Sequence, residues 1–307
     1  MVKEQLKGEV LIPPPLSLSD EIRIVSPAGC IAKEYLDGAK QVLETWGLRV
    51  SEGKYAGGSY GRFSGTKEER IADLQTALDD PRVQAILCSR GGYGLAQIAD
   101  ALDLSAFCRK PKWLIGFSDI TVLHSLLTSR NIASIHGIMA KHLSELSAED
   151  ESVKGLRNIL WGARPSYHIP AQSTNREGEA RGILKGGNLS VLMGLRGSDF
   201  DLHPEGSILF IEDVGEKPYQ VDRMMQNLRL SGILKKLSGV IVGHFSDYEE
   251  DASMRQNLKE IIAEAASECP GPICFGFPAG HENNNLPLIL GANVELKVEA
   301  SGAQLRF

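Results

Sequence analysis

The chain has 307 residues, of which 42% are hydrophobic and 23% are charged, and its formal net charge is −6 at pH 7. The length predicts two domains of ordinary size, and the composition is typical of globular proteins. The negative charge argues against binding to nucleic acid or an anionic membrane, and no run approaches the roughly 18 apolar residues of a membrane span.

The first twenty residues contain no basic segment followed by an apolar stretch and a cleavage site, so no export signal is predicted. The five cysteines form no closely spaced pair. Such an odd set predicts reduced, mostly buried thiols and a cytoplasmic location.

Strand and helix patterns alternate through the first half of the chain. Strands are predicted in the segments IRIVSPAG, LRVSEG, VQAILCSRGGYG, WLIGF and IASIHG. A helix is predicted from about Lys33 to Trp46, with Gly47 as its stop, and Thr66 with Glu69 forms a capping box for the next one. Continuous apolar strands separated by amphipathic helices predict a parallel sheet covered on both faces.

The second half reads as a smaller mixed α/β domain. A polar stretch with two prolines and the segment QSTNREGE predicts a linker over 151–180, between domains at 1–150 and 181–307. Strands are expected in GSILFIEDVGE and SGVIVGHF, helices in YQVDRMMQNLRLSG and MRQNLKEIIAEAASE, and a hairpin in NVELKVEASGAQLRF.

Ser118 is a candidate nucleophile because it stands where the apolar strand WLIGF changes into a helical pattern. A serine at such a turn can face the crevice at the carboxyl end of a parallel sheet. The amide of Asp119 would then be available to stabilise an oxyanion. The alternative is that Ser118 only caps the helix, since Ile120 replaces the second glycine of the usual G-x-S-x-G pattern.

The glycine-rich segment SRGGYG follows the preceding strand and suggests a second oxyanion donor. Adjacent glycines allow close approach to a ligand and expose amide hydrogens, so Gly91 or Gly92 is the candidate. Arg90 is a candidate for binding a substrate carboxylate, with a salt-bridged surface arginine as the alternative. A tight strand-to-helix connection would explain the glycines equally well, and the segment matches no phosphate-binding pattern.

A serine nucleophile needs a histidine base, and that base needs an orienting acid. His281 is the candidate base because it lies in the loop GFPAGHENNNLP after an apolar strand. His244 is the rival, whereas His124 lies within the predicted helix after Ser118 and is expected to be a core residue. His136 lacks metal-ligand spacing.

The segment LFIEDVGE offers three acids. Glu212 directly follows the apolar run and could hold an imidazole proton, whereas Asp213 or Glu216 could cap the helix at Pro218. Glu216 also stays open as the orienting acid. His142, like the other histidines, has no metal-ligand spacing with cysteines or acids, so no zinc site is predicted.

The segments RGGYG, IGFSDIT, GGNL, FIEDVGEKPYQVDRMMQNL and GFPAGH occur together in this order. In this the sequence resembles the LD-carboxypeptidases, a family of serine peptidases that includes murein tetrapeptide carboxypeptidases and microcin-resistance peptidases. The resemblance implies a flavodoxin-like (glutamine-amidotransferase-like) N-terminal sheet, a smaller C-terminal domain, a homodimer, and no metal or cofactor.

By position, the resemblance implies a triad of Ser118, Glu212 and His281, with oxyanion donors at Asp119 and at Gly91 or Gly92. The implied reaction releases the terminal D-alanine of murein tetrapeptides during peptidoglycan recycling. Cleavage of peptide–nucleotide conjugates by a microcin-type peptidase is the alternative within the same chemistry. A non-catalytic protein that binds an anionic ligand is the alternative from another class.

Overall fold

The computed structural model describes residues 10–307. Residues 1–9, and with them part of the segment in which no export signal was found, lie outside the described residues. The elements of the first half are β1 (Glu21–Val25), α1 (Lys33–Thr45), β2 (Arg49–Glu52), α2 (Lys67–Asp79), β3 (Val83–Cys88), α3 (Ser105–Arg109), β4 (Trp113–Gly116), α4 (Thr121–Thr128), β5 (Ser134–His136), α5 (Ala140–Glu145) and α6 (Glu151–Leu160). Those of the second half are β6 (Ser166–Pro170), β7 (Gly178–Asn188), α7 (Leu189–Gly194), β8 (Ile208–Val214), α8 (Pro218–Leu230), β9 (Gly239–Ser246), α9 (Leu258–Ala266), β10 (Ile273–Phe275), β11 (Leu288–Leu290), β12 (Asn293–Glu299) and β13 (Gly302–Arg306).

The first sheet has the strand order β11-β5-β4-β3-β1-β2. Strands β1 to β5 are parallel to one another, and their order β2-β1-β3-β4-β5 is that of flavodoxin-like folds. This confirms the predicted parallel sheet. In such sheets ligands bind beyond the carboxyl ends of the strands, where Ser89–Gly94 and Ser118 follow β3 and β4.

The second sheet has the order β10-β9-β8-β7-β12-β13-β6. Its strands are parallel from β10 to β7 and antiparallel from β7 to β6. The sheet is therefore mixed, and the predicted terminal hairpin of β12 and β13 is confirmed.

The stretch 151–180 is not the irregular linker that its polar residues predict. It contains α6, whose Val153 and Leu156 are buried in the core of the first sheet, and β6, which pairs with β13. The polar residues concealed α6, whose apolar side chains recur at helical spacing between them.

The segment Leu288–Leu290 crosses back to the first half of the chain. As β11 it pairs antiparallel with β5, so the first sheet contains one strand from the second half of the chain. Its three leucine and isoleucine side chains are buried, and their burial accounts for the apolar bulk of the segment LPLILG.

Capping side chains set the start of two helices. The predicted capping box of Thr66 and Glu69 is present at α2. Asn257 and Glu260 form a second capping box, so α9 begins later than the predicted start at Met254. The side chain of Asn257 fixes this boundary because it accepts a hydrogen bond from the amide of Glu260. The pattern of apolar residues does not reveal this cap.

The five cysteines are all free thiols, of which Cys88, Cys269 and Cys274 are buried and Cys30 and Cys108 half-buried. Within residues 10–307, no helix combines the length and apolar character needed to cross a membrane.

Candidate active site

Ser118 stands on a strained turn between β4 and α4. Phe117 continues the extended backbone of the strand, and Ser118 then adopts φ of 65° at the start of the short 3-10 turn Ser118–Ile120. A non-glycine residue in the left-handed region costs on the order of 1–3 kcal/mol, and such strain is concentrated at functional sites. The Ser118 side chain caps neither this turn nor α4, so the helix-cap alternative is wrong.

The glycine-rich loop touches this turn directly. A Cβ atom added to Gly91 would lie 2.9 Å from Ser118 Oγ and 3.3 Å from the amide nitrogen of Asp119. Within residues 10–307 the amides of Gly91, Gly92 and Asp119 donate no hydrogen bond. The loop and the turn therefore leave backbone donors free beside the serine oxygen.

The side chain of Asp119 ties the same two segments together. Its Oδ2 accepts a hydrogen bond of 2.9 Å from the amide of Leu95, just after the glycine-rich loop. Arg70, itself buried, donates to the carbonyl of Gly94. Burial raises the pKa of Asp119, against the opposing effects of the Leu95 amide and the Arg70 charge.

His281 and Glu212 form a hydrogen-bonded pair at the end of β8. His281 Nδ1 lies 2.7 Å from Glu212 Oε2, and the glutamate side chain is fully buried whereas that of the histidine is 19% exposed. Burial by itself would lower the pKa of His281. The hydrogen bond and charge of Glu212, with the charges of Asp213 and Asp247, outweigh burial and raise that pKa above its ordinary value.

His281 packs against Phe117, the residue that precedes Ser118. The rings of Phe117 and His281 have centroids 4.9 Å apart, which brings the histidine to the residue before the serine. Among the described residues no hydrogen bond joins Ser118 Oγ to His281. Catalytic hydrogen bonds of this kind are often long without substrate and shorten in the substrate complex.

The two alternative acids have other environments. Asp213 accepts hydrogen bonds from Asn188 Nδ2 at 2.9 Å and from the amide of Ser190 at 2.8 Å, so its role is to hold the start of α7. Glu216 is half-buried and makes no hydrogen bond to His281. Neither Asp213 nor Glu216 caps α8, so that alternative was wrong. The N-cap residue is Lys217, whose backbone amide donates to Gln220 Oε1 at 2.8 Å.

The loop that carries His281 is anchored by a residue that the sequence did not reveal. Asn285 is buried, and its Oδ1 accepts a hydrogen bond of 3.0 Å from the backbone amide of Gly280. The backbone amide of Asn285 donates to Ser152 Oγ. Gly280 has φ of 135° and lies against Glu212. The run of three asparagines was the available signal, but it did not distinguish the anchoring one.

His124 and His244 do not contact Ser118 through hydrogen bonds. His124 is buried between Ser134 Oγ at 2.7 Å and the carbonyl of Gly116 at 2.8 Å, and burial lowers its pKa to about 4. This confirms that it is a core residue. His244 Nδ1 lies 3.7 Å from a carboxylate oxygen of Glu282, and burial lowers its pKa despite that charge.

Arg90 extends from the glycine-rich loop with an exposed side chain. Its guanidinium donates to the carbonyl of Cys30 at 3.1 Å. Within the described part of the chain it has no acidic partner, so the salt-bridged alternative is wrong. The same part of the chain contains no group of three His, Cys, Asp or Glu side chains that could hold a metal ion.

The arrangement of a strained serine, free backbone amides and a buried acid–histidine pair defines the class of serine hydrolases. Residues 22–137 match the LD-carboxypeptidase N-terminal domain and residues 181–296 match the LD-carboxypeptidase C-terminal domain. The chain therefore belongs to the LD-carboxypeptidase family and is a serine-type carboxypeptidase, as the resemblance in its motifs predicts.

The similarity extends over nearly the whole chain. A Synechocystis protein named as a carboxypeptidase is 36% identical, covering 96% of this chain and 97% of its own. The murein tetrapeptide carboxypeptidase of Pseudomonas aeruginosa is 33% identical over 87% of this chain and 90% of its own. The Microcin C7 self-immunity protein of Escherichia coli is 25% identical, covering 95% and 94%.

Solved structures share the same fold. The crystal structure of the muramoyltetrapeptide carboxypeptidase from Oxalobacter formigenes superposes with a TM-score of 0.86, covering 93% of this chain and 98% of that one at 28% sequence identity. This agreement is consistent with the two-domain α/β architecture described above.

Proposed function

We propose that the protein is an LD-carboxypeptidase that releases the terminal D-alanine of murein tetrapeptides during peptidoglycan recycling. The observation that carries the proposal is the 2.7 Å hydrogen bond between His281 and buried Glu212, next to the strained Ser118 turn. The naming of relatives as murein peptide carboxypeptidases supports the substrate class.

In the proposed reaction Ser118 Oγ attacks the carbonyl carbon of the peptide bond before the terminal D-alanine. His281 accepts the serine proton and passes it to the departing amine, so D-alanine leaves and an acyl-enzyme remains. His281 then takes a proton from water, whose oxygen attacks the ester carbonyl carbon; the ester bond breaks, the tripeptide leaves, and His281 returns the proton to Ser118 Oγ.

Glu212 has two tasks in this scheme. Its Oε2 accepts a hydrogen bond from Nδ1–H of His281, which keeps that proton on Nδ1 and leaves Nε2 unprotonated and available to act as the base. Its charge also stabilises the imidazolium that forms when the serine proton moves. The raised pKa of His281 reflects the same stabilisation.

The amides of Asp119 and of Gly91 or Gly92 would hold the oxyanion, and Arg90 would bind the substrate carboxylate. Loss of one oxyanion donor typically costs a hundredfold or more in rate, so these amides contribute substantially. In this proposal a domain at 1–150 supplies the serine, a domain at 181–307 supplies the acid and the base, and the enzyme acts as a cytoplasmic homodimer.

The test is incubation of L-Ala-D-Glu-meso-diaminopimelate-D-Ala with the wild-type protein, with Ser118→Ala and with Ser125→Ala. Mass spectrometry should detect the tripeptide and free alanine with wild type and with Ser125→Ala, whose serine lies further along α4. Only Ser118→Ala should be inactive. Absence of cleavage by the wild type would contradict the proposal.

Cleavage of a peptide–nucleotide conjugate is the second candidate, favoured by the similarity to the Microcin C7 self-immunity protein. An aspartyl sulfamoyl adenosine, incubated in the same assay, separates the two. Faster turnover of the conjugate than of the tetrapeptide would favour this second candidate.

A further inference from the structure

His142 packs against the residue before the proposed nucleophile, although the reaction scheme gives it no task. It is half-buried on α5, and its ring centroid is 5.2 Å from that of Phe117, the residue before Ser118. The amide of Lys141 donates to the carbonyl of Ser89 at 3.0 Å, which holds α5 against the glycine-rich loop. The two loops of the site therefore both contact the helix that carries His142.

The tautomer of His142 is fixed by its own helix. The amide of Met139 donates to Nδ1 at 3.3 Å, and only an unprotonated nitrogen can accept that bond. The proton of the neutral ring then resides on Nε2. Within the described residues Nε2 makes no hydrogen bond. It is not fully buried either, so it is a donor that solvent or a ligand can reach.

The charged groups that face this ring are all basic. Burial, followed by the positive charges of Lys141, His281 and Arg90, lowers the pKa of His142 to about 4, and no acid contributes. Lys141 is engaged elsewhere, since its Nζ lies 3.7 Å from Glu145 and 5.9 Å from the Tyr35 ring. Arg90 has no acidic partner among the described residues, and it follows Ser89, whose carbonyl accepts from the amide of Lys141, so its loop adjoins the helix that carries His142.

A neutral donor and a guanidinium without an acidic partner, carried on adjoining segments, suit an anion, and a carboxypeptidase must recognise the free carboxylate of the residue that it removes. We propose that His142 Nε2 donates a hydrogen bond to the terminal carboxylate of the peptide, beside Arg90, and so selects substrates with a free carboxyl end. This inference rests on the proposed function, and makes His142 a specificity-determining residue.

The test compares two peptides, the tetrapeptide ending in D-alanine and the same peptide ending in D-alaninamide. For each protein variant, the ratio of kcat/KM for the acid to that for the amide measures recognition of the carboxylate. His142→Phe keeps a ring against Phe117 but removes the donor, whereas His142→Gln keeps a donor. Arg90→Gln removes the cation, and His168→Phe, on the exposed strand β6 of the other sheet, is the matched control.

Wild type and His168→Phe should prefer the acid to the same extent. His142→Phe should lower the ratio by about tenfold or more, through a higher KM for the acid, since hydrogen bonds to charged groups are of that strength. Arg90→Gln should lower it as well, and His142→Gln should restore part of it.

An unchanged ratio in His142→Phe and His142→Gln would overturn the inference and leave the proposed function intact. Equal losses on both peptides would also overturn it, because they would indicate a purely structural role. Failure of the wild type to cleave either peptide would overturn the proposed function, and the inference with it.

Discussion

Replacing Glu212 with glutamine removes the charge behind His281 with little change in shape. Glu212 is fully buried and its Oε2 lies 2.7 Å from His281 Nδ1. A hydrogen bond to a charged group contributes about 1.5–3 kcal/mol, which corresponds to roughly a 10- to 150-fold rate loss at 1.36 kcal/mol per factor of ten. An amide can also stabilise the wrong imidazole tautomer, and in a comparable triad the acid-to-amide change costs about 10⁴.

Glu212→Gln should therefore lower kcat by at least about a hundredfold, with a much smaller effect on KM. The assay is alanine release from the tetrapeptide, measured from pH 5 to 9. In the wild type the free base is lost as the pH falls through the pKa of His281, which lies above the ordinary value of 6.5. Without the Glu212 charge this pKa falls, so the acidic limb of kcat/KM should move to lower pH.

Glu216→Gln is the matched control, since Glu216 lies four residues further on and makes no hydrogen bond to His281. It should retain kcat within a few-fold of wild type. The reasoning is refuted if Glu212→Gln keeps nearly full activity, if its acidic limb does not move, or if Glu216→Gln loses as much.

Three further predictions concern the oxyanion donors, the histidine loop and the pH dependence of stability. Gly91→Ala places a methyl group 2.7 Å from Ser118 Cβ and 2.9 Å from its Oγ, so the serine or the loop must shift; kcat for alanine release should fall by about a hundredfold or more because nucleophile and oxyanion donors are misaligned. Asn285→Ala removes the acceptor for the Gly280 amide, and urea titration should show a loss of about 1–3 kcal/mol in unfolding free energy. His124 is buried with a pKa near 4, so its contribution to stability is complete above pH 6.5 and is lost as the pH falls towards 4. Urea titrations at pH 7.5 and 5.0 should show a larger loss of unfolding free energy at pH 5.0 in the wild type than in His124→Gln, since the other histidines are common to both proteins, and equal losses would contradict this assignment.

The first sheet could be predicted because its strands are short apolar runs with a helix pattern between each pair. The patterns around β1 to β5 and the capping box of α2 depend on neighbours in sequence, which a single chain displays directly. The same locality explains why Ser118 could be singled out, since the change from strand to helix is visible at that residue.

What the sequence did not show depends on contacts between distant segments. The strand β11 is recognisable only by its pairing with β5, and Asn285 matters because it bonds both Gly280 and Ser152. The choice among Glu212, Asp213 and Glu216 as the partner of His281 likewise required the geometry of the second sheet. The apolar run showed that all three acids lie at or just beyond the end of one strand, but it did not show which of them faces the histidine.

The central claim, that Ser118 attacks the peptide carbonyl, is tested most directly by trapping the serine covalently. A peptidyl phosphonate that carries L-Ala-D-Glu-meso-diaminopimelate, with phosphorus in place of the scissile carbonyl carbon, is incubated with the protein, and the modified peptide is identified by mass spectrometry. The account predicts one adduct per chain, on Ser118, and none in Ser118→Ala. An adduct on a different residue, or stoichiometric labelling of Ser118→Ala, would contradict it.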